Sequence, residues 1–426
     1  MVEPPSDATP RTEPDERRSE RHVLVVNQHG DNTGDEAALR GMLQGLDQAL
    51  GGARFTVLHQ FRERGSEVEV AQPVRWLSLV ISPGEAVRLT LYALGLALGR
   101  RWRPVLGPAG EVIVGSYESA DLVVSAPGGP YFGDLYWSHE PVHWFYVWLA
   151  RLHRRPAALY APSAGPFSKR VFNPFRRFTY RSFGVVTLRE ERSAEFYRQL
   201  MGHDAQVEVT ADAALQQQVA PRSRSEWAQL GDRVLVALSA IDWRYAGDPD
   251  PEGRRENYDR SIAAALGALA AEVGDRGVHV VLVPQLHSRK HSDVEYLRRL
   301  AERFDARISW EVLEGERTSP AQRGVMAAAD LVVAGRYHPA VFAVSAHVPV
   351  LCIPYEHKAA GMMDAAGLGD FVVMLDDVEP EVVSSSILDV WRRRAEIRDR
   401  LEQSEPLLRQ QSAHTNDVVA RLLEAP

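Results

Sequence analysis

Arg336, His338, Tyr355 and Lys358 combine residue types and spacing that suit chemistry on a small anion. The apolar run 329–334 leads directly into Arg336-Tyr337-His338, and the run 348–354 leads into Tyr355 and Lys358. Both runs read as short, buried parallel strands. In open α/β sheets the ligand crevice lies beyond the carboxyl ends of such strands. One guanidinium and one imidazole thus leave the first strand together, and an ammonium leaves the next. A guanidinium fits a planar carboxylate or phosphate, and an imidazole exchanges protons near neutral pH. A capped structural histidine is the competing account of His338.

Other loops add candidates. Arg189 ends the apolar run 184–188 and points toward the same crevice, unless Glu190, Glu191 or Glu195 claims it as an ion pair. The polar loop 30–36 precedes a helical pattern. Asn32, Gly34 and Asp35 in it offer helix capping or contacts to sugar hydroxyls. Gly128-Gly129 lets backbone approach a ligand closely, and Asp134 follows within reach of hydroxyls; a tight turn with a helix cap explains them equally. His357 alternates with Lys358, so one of the two points away from the site. His287 and His291 flank Arg289-Lys290 in a loop that reads as solvated. The spacing G-x-G-x-x-G, a Walker loop, a G-x-S-x-G elbow and zinc-like His/Cys spacing are all missing.

These residues need a scaffold. Strand patterns at 22–27, 54–58, 121–125, 157–161 and 184–188 alternate with helical ones, including Leu39, Met42, Leu43 and Leu46. A polar break at 216–231 follows, and the pattern restarts with strands at 233–238 and 278–283 and a short one at 308–310. Helices are predicted at 261–273, 293–303 and 320–329. The order predicts an α/β protein of two Rossmann-like, doubly wound domains facing across a cleft. The expected division is a disordered tail at 1–21, a first Rossmann-like domain at 22–215, a second at 232–380 and C-terminal helices at 381–426.

The bulk composition narrows the function classes. The chain has 426 residues, 45% hydrophobic, with a net charge of −8. This balance argues against a nucleic-acid binder, which needs a basic face. The lone Cys352 excludes an intramolecular disulfide and reads as a buried thiol. No run reaches the ~18 apolar residues of a membrane span, and the first residues read as neither a signal nor a transit peptide. The expected location is the cytoplasm, at the inner face of the membrane if residues 86–103 make peripheral contact. The segments 89–98 and 144–149, each followed by Arg, read as core helices with basic ends or as membrane-surface helices. A homo-oligomer is compatible with the pattern.

The pieces Asn32-Thr33-Gly34-Asp35-Glu36-Ala37, Pro127-Gly128-Gly129 with Gly133-Asp134, Gly165-Pro166, Leu188-Arg189-Glu190-Glu191-Arg192-Ser193, Ala211-Asp212, Arg336-Tyr337-His338 and Pro354-Tyr355-Glu356-His357-Lys358 occur in one order along the chain. In this the chain resembles the polysaccharide pyruvyl transferase family over residues 23–375. The resemblance implies the GT-B arrangement. It also implies transfer of a pyruvyl group from phosphoenolpyruvate to two hydroxyls of a sugar or glycan, giving a ketal and phosphate. Arg336, with Arg189, Tyr355 and Lys358, would then hold the donor. A protonated His338 would supply the methylene proton, with Asp35 or Asp134 as base. No metal or other cofactor is needed. Asn32, Gly34, Asp35, Gly128, Gly129 and Asp134 would face the acceptor. The glycine loop departs from the family in having two glycines bracketed by Pro127 and Pro130, and 77–115 reads as an expanded insertion; with membrane contact there, a lipid-linked acceptor follows. The alternatives are a glycosyltransferase using a nucleotide sugar on the same scaffold and a non-catalytic glycan-binding relative.

Overall fold

The computed structural model of the protein describes residues 20–29, 32–59, 68–79, 81–129, 132–217, 224–242, 249–286, 292–315, 318–355 and 357–424. Residues 1–19 of the tail expected at 1–21, Gly30, Asp31, Pro130, the His287 and His291 loop, Glu356 and the His357 side chain lie outside the described residues.

Seven strands form the first sheet: β1 (Arg21–Gln28), β2 (Ala53–His59), β3 (Val74–Ser78), β4 (Leu122–Ser125), β5 (Ala157–Leu159), β6 (Val185–Leu188) and β7 (Glu208–Val209). Their order is β3-β2-β1-β4-β5-β6-β7. Five more, β8 (Val234–Ser239), β9 (Val278–Leu282), β10 (Ile308–Val312), β11 (Leu331–Ala334) and β12 (Val350–Cys352), form a second sheet in the order β10-β9-β8-β11-β12. The pairings are parallel. The central strands β4, β8 and β11 carry continuous apolar runs because helices cover both faces of a parallel sheet. Each sheet reverses its order once, between β1 and β4 and between β8 and β11. These reversals are the places where a doubly wound sheet opens a ligand crevice.

One face of the first sheet carries the helix Thr33–Leu50. Its Leu39, Met42, Leu43 and Leu46 are fully buried, each stabilising the fold by about 1.5–3 kcal/mol. The apolar core on this face continues into the second lobe. The helix Pro380–Arg392 packs on Pro251–Val273 in the second lobe, and the helix Arg394–Ala420 returns to pack on Thr33–Leu50 in the first. There Asn416 donates to Gln216 at 2.8 Å, Gln216 donates to Ser412 Oγ at 2.9 Å, and Ser412 donates to the carbonyl of Asp212 at 2.7 Å.

Residues 77–115, read from the sequence as an expanded insertion, lie in the β3-to-β4 crossover. They begin at the edge strand β3 and contain the helices Pro83–Ala97 and Pro108–Ser119. The edge strand escapes notice because it alternates Val, Arg, Trp, Leu and Ser, and no residue in it is fully buried. The segment 144–149 is core, with Trp144, Tyr146, Val147 and Leu149 buried. The segment 89–98 is only half core: Leu89, Tyr92 and Ala93 are buried, while Leu91, Leu94 and Leu98 face solvent.

Candidate functional site

Several buried polar side-chain atoms with no hydrogen-bond partner among the described residues lie at the carboxyl ends of the strands. They include Gln28 Oε1 after β1, Ser239 Oγ at the end of β8, Gln285 Oε1 after β9, and Arg336 Nε and His338 Nε2 after β11. Leaving such groups dry and unpaired costs about 1–3 kcal/mol each. A set of them at one crevice marks a place built for a polar ligand.

Arg336 caps the helix Tyr337–Ser345, and His338 lies in that helix's first turn. Glycine at 335 is required here: a Cβ would stand 2.5 Å from the Tyr258 hydroxyl and 2.8 Å from the Ser239 carbonyl. The Arg336 Nη2 donates to Asp293 Oδ1 at 2.9 Å, while Asp293 Oδ2 accepts the amides of Gln285 and Leu286 at 3.0 and 2.9 Å. Burial works against the Arg336 charge, but Asp293 and Tyr355 more than offset it, and its pKa is raised.

His338 is nearly enclosed. Its Nε2 stands 3.8 Å from Asp212 Oδ2. Gly34, at the start of the helix Thr33–Leu50 in the other lobe, presses on the ring: a Cβ there would lie 1.8 Å from Nδ1. Burial pushes the His338 pKa down to about 3; Arg189 and Lys358 add to the fall, and Asp212 opposes it. The positive end of the neighbouring helix dipole acts in the same direction as burial. The protonated His338 expected from the sequence is therefore not the form that burial favours; the enclosed ring is held toward its neutral form.

This burial has a measurable sign. An unfolded imidazole titrates near 6.5 and the buried one near 3. Between these values the unfolded chain binds a proton that the folded chain refuses, so stability falls as pH falls from 6.5 toward 3. One such group contributes about 1.4 kcal/mol per pH unit. In urea unfolding, His338→Gln should flatten the acid-side slope by about that amount; parallel slopes would show a solvated ring.

Arg189 does not take the neighbouring glutamates as its main partners. Its Nη1 donates to Asp212 Oδ2 at 2.5 Å and its Nε to Ser163 Oγ at 2.9 Å, with Glu190 further off at 3.9 Å. Its guanidinium also lies 4.3 Å from the centroid of the Tyr337 ring. This arrangement makes Arg189 a fixed cation in the wall of the site rather than a side chain extended into the crevice. Burial alone would raise the Asp212 pKa, but Arg189 outweighs it and the carboxyl is held below its ordinary value. Asp212 is the principal residue that reasoning from chemistry missed. It follows the exposed two-residue strand β7, so no apolar run points to it; an acid set among Ala211, Ala213 and Ala214 was the available signal.

A cavity of about 580 Å³ spans the two lobes beside this cluster. Tyr355 and Lys358 line it from one side; Asp134, Ser163, Glu190 and Phe196 line it from the other. It joins the buried cluster through Ser163, which holds Arg189, and through Tyr337, whose ring centroid is 6.0 Å from Lys358 Nζ. Asp134 is on its wall but committed. It accepts from the Ser168 amide at 2.7 Å and from Arg176 Nη2 at 2.9 Å. Burial pushes its pKa up, Ser168 and Arg176 more than reverse this, and the net shift is downward, which disfavours Asp134 as a base. Glu190 is better placed: it lines the cavity, and its Oε2 has no hydrogen-bond partner among the described residues.

The remaining acceptor-side candidates flank the cavity without lining it. Asn32 caps its helix, accepting from the Gly34 amide at 2.8 Å, and its backbone bridges to Leu286 of the other lobe. Asp35 is buried in the first helical turn. The Gly128 carbonyl accepts from the Ser163 amide at 3.1 Å, so the Gly128-Gly129 turn buttresses the cavity wall.

The sequence model of the polysaccharide pyruvyl transferases matches residues 32–357. The chain is similar to the amylovoran biosynthesis protein AmsJ of Erwinia amylovora, with 24% identity over 279 residues. That match covers 63% of this chain and 64% of AmsJ, less than two thirds of the relative's length. Among solved structures, the Anabaena protein HepE in complex with UDP-glucose superposes with a TM-score of 0.55 and 14% identity, covering 95% of this chain and 99% of that one. The UDP-GlcNAc 2-epimerase of Neisseria meningitidis gives 0.57 and 12%, covering 94% and 100%. These two likenesses establish the GT-B type of fold. With the family model matching most of its length, the chain belongs to the polysaccharide pyruvyl transferase family.

Proposed function

We propose that the protein transfers the pyruvyl group of phosphoenolpyruvate to two hydroxyls of a sugar or glycan, forming a ketal and releasing phosphate. The observation that carries this reading is the pair of buried nitrogens, Arg336 Nε and His338 Nε2, that have no hydrogen-bond partner among the described residues, beside a cavity lined by Lys358 and Tyr355. Phosphoenolpyruvate brings a carboxylate and a phosphate on three carbons. Arg336 and Lys358 neutralise these charges in a water-poor site, where fixed cations act strongly. Arg189 serves as a fixed background charge held by Asp212.

The donor's negative charge also raises the His338 pKa, so the imidazole takes up a proton as the donor enters. His338 then delivers that proton to the methylene carbon, leaving C2 electrophilic. One sugar hydroxyl adds to C2 and loses its proton to Glu190. The C2–O bond to phosphate breaks, phosphate leaves with the proton held by Glu190, and the second hydroxyl closes the ketal as its proton passes to the imidazole of His338. Asp212 positions both Arg189 and His338. Pyruvylation of a polysaccharide or its precursor accords with the family and with the amylovoran role in the relative's name.

A thermal-shift titration tests the donor. A ligand confined to the folded state raises the Tm by mass action. Phosphoenolpyruvate should raise it in the wild type and not in Arg336→Ala. A shift with nucleotide sugars and none with phosphoenolpyruvate would replace this reading with glycosyl transfer.

A further inference from the structure

The outer surface of the first lobe is built for contact with something apolar and negatively charged. The helix Pro83–Ala97 shows solvent Val87, Leu91 and Leu94, and Leu98 and Trp102 extend the stripe. The spacing of four and three residues puts Val87, Leu91 and Leu94 on one helical face, and Leu98 and Trp102 follow just past the helix end. Their exposures of 59%, 45%, 57%, 79% and 59% are those of side chains left uncovered. The stripe borders an apolar groove of about 760 Å³ between this helix and Glu140–Leu152, lined by Ala86, Leu89, Val142 and Phe145. Beyond that helix, Asn173–Tyr180 exposes Phe175 and Phe178. Single exposed apolar residues are ordinary, but a surface continuous across neighbouring helices marks an interaction site.

The charge on this face opposes that of the molecule. The chain as a whole carries −8, yet residues 86–110 hold four Arg and no Asp or Glu; of the cations in 141–189, Arg176 and Arg189 are buried against Glu140, Asp134 and Asp212 and do not contribute to this face. Arg88, Arg100, Arg101, Arg151, Arg154 and Arg170 are exposed around the apolar stripe. Glu85, Glu111 and Glu118 are the acids that approach it, the latter two paired with Arg103. Apolar side chains rimmed by Arg and Trp are the chemistry of a helix lying in the plane of an anionic bilayer. No helix among the described residues is long and apolar enough to cross a membrane.

The surface also reaches the reaction cleft. Leu135 is exposed and lines the inter-lobe cavity, as does Lys169, whose ammonium sits 5.4 Å from the Trp137 ring centroid. Trp137 is itself exposed and stacks on Phe172 at 5.9 Å, directly before Asn173–Tyr180. The apolar, basic face therefore ends at the cavity mouth.

We propose that this helical face of the first lobe rests on an anionic lipid bilayer and presents the cleft to a sugar acceptor anchored in that bilayer. The choice of acceptor rests on the pyruvyl-transfer reading; the bilayer contact does not. Flotation of the full chain with vesicles of phosphatidylcholine, with and without phosphatidylglycerol, separates the two because it contains neither donor nor sugar. Binding should be at least about tenfold stronger to the anionic vesicles and should weaken as salt is raised. Leu94→Glu/Leu98→Glu, at exposed positions away from the cleft, should reduce flotation about tenfold while leaving turnover of a soluble acceptor unchanged. Arg100→Glu/Arg101→Glu should remove the preference for anionic lipid. Failure of the wild type to float, or flotation unaffected by both variants, would overturn the proposal. So would a dimer in sedimentation equilibrium that both variants dissociate without any vesicle binding, since the face would then join two copies of the chain.

Discussion

His338→Gln is expected to lower turnover about a thousandfold while phosphoenolpyruvate still binds, because a positioned acid is worth roughly 10²–10⁴ in rate. Glutamine keeps a polar side chain in the pocket and cannot carry a proton between states. Titration calorimetry gives the more incisive readout. Burial favours the neutral ring, its pKa pushed down to about 3. Bringing a trianionic donor beside it reverses the electrostatic balance, so the wild type should absorb close to one proton per donor near pH 7. Comparing binding heats in buffers of different ionisation enthalpy reveals that uptake, and His338→Gln should lose it. Donor binding without proton uptake in the wild type would remove His338 as the acid, even with turnover reduced.

Gly34→Ala should be nearly as damaging, although Gly34 carries no functional group. The added methyl would sit 1.8 Å from His338 Nδ1 and 2.1 Å from Cγ. That ring is packed against Phe342 and Tyr337 and cannot swing aside as a flexible chain end would. Either the imidazole moves or the lobes part. A displacement of about 1 Å in a catalytic group costs on the order of 100-fold in rate, and overpacking of this kind costs about 1–3 kcal/mol of stability. The expected result is a folded protein with kcat down about 100-fold and a weakened donor-induced rise in Tm. Wild-type kcat in Gly34→Ala would mean that the lobes stand further apart during turnover.

Legibility from sequence followed burial closely. The strands β1, β4, β8 and β11 each carry an unbroken apolar run, since both faces of each sheet are covered, and they stand out in the sequence. The edge strand β3 and the two-residue β7 do not, because partly solvated backbone leaves no apolar signature. Arg336 and His338 were readable for the same reason as β11: they stand at the exit of a buried run. The partners that define their chemistry were not. Asp293, Asp212 and Gly34 reach them from other parts of the chain, and only the closed fold joins these elements. Asp134 shows the converse. Its sequence context is compatible with a sugar contact, but Arg176, which occupies it, comes from a helix that nothing near Asp134 foretells.

The return of the helix Arg394–Ala420 to the first lobe bears on how such enzymes can be recombined. The compositional break between the two sheets looks like the natural point for exchanging whole lobes between relatives. A crossover there would keep each sheet intact yet take Ser412 and Asn416 from a different parent than Asp212 and Gln216, which they hold. The heritable unit of the first lobe is thus discontinuous: residues up to Gln217 together with the returning helix. A chimaera that respects this unit keeps the anchor of Asp212, and with it the placement of Arg189 and His338.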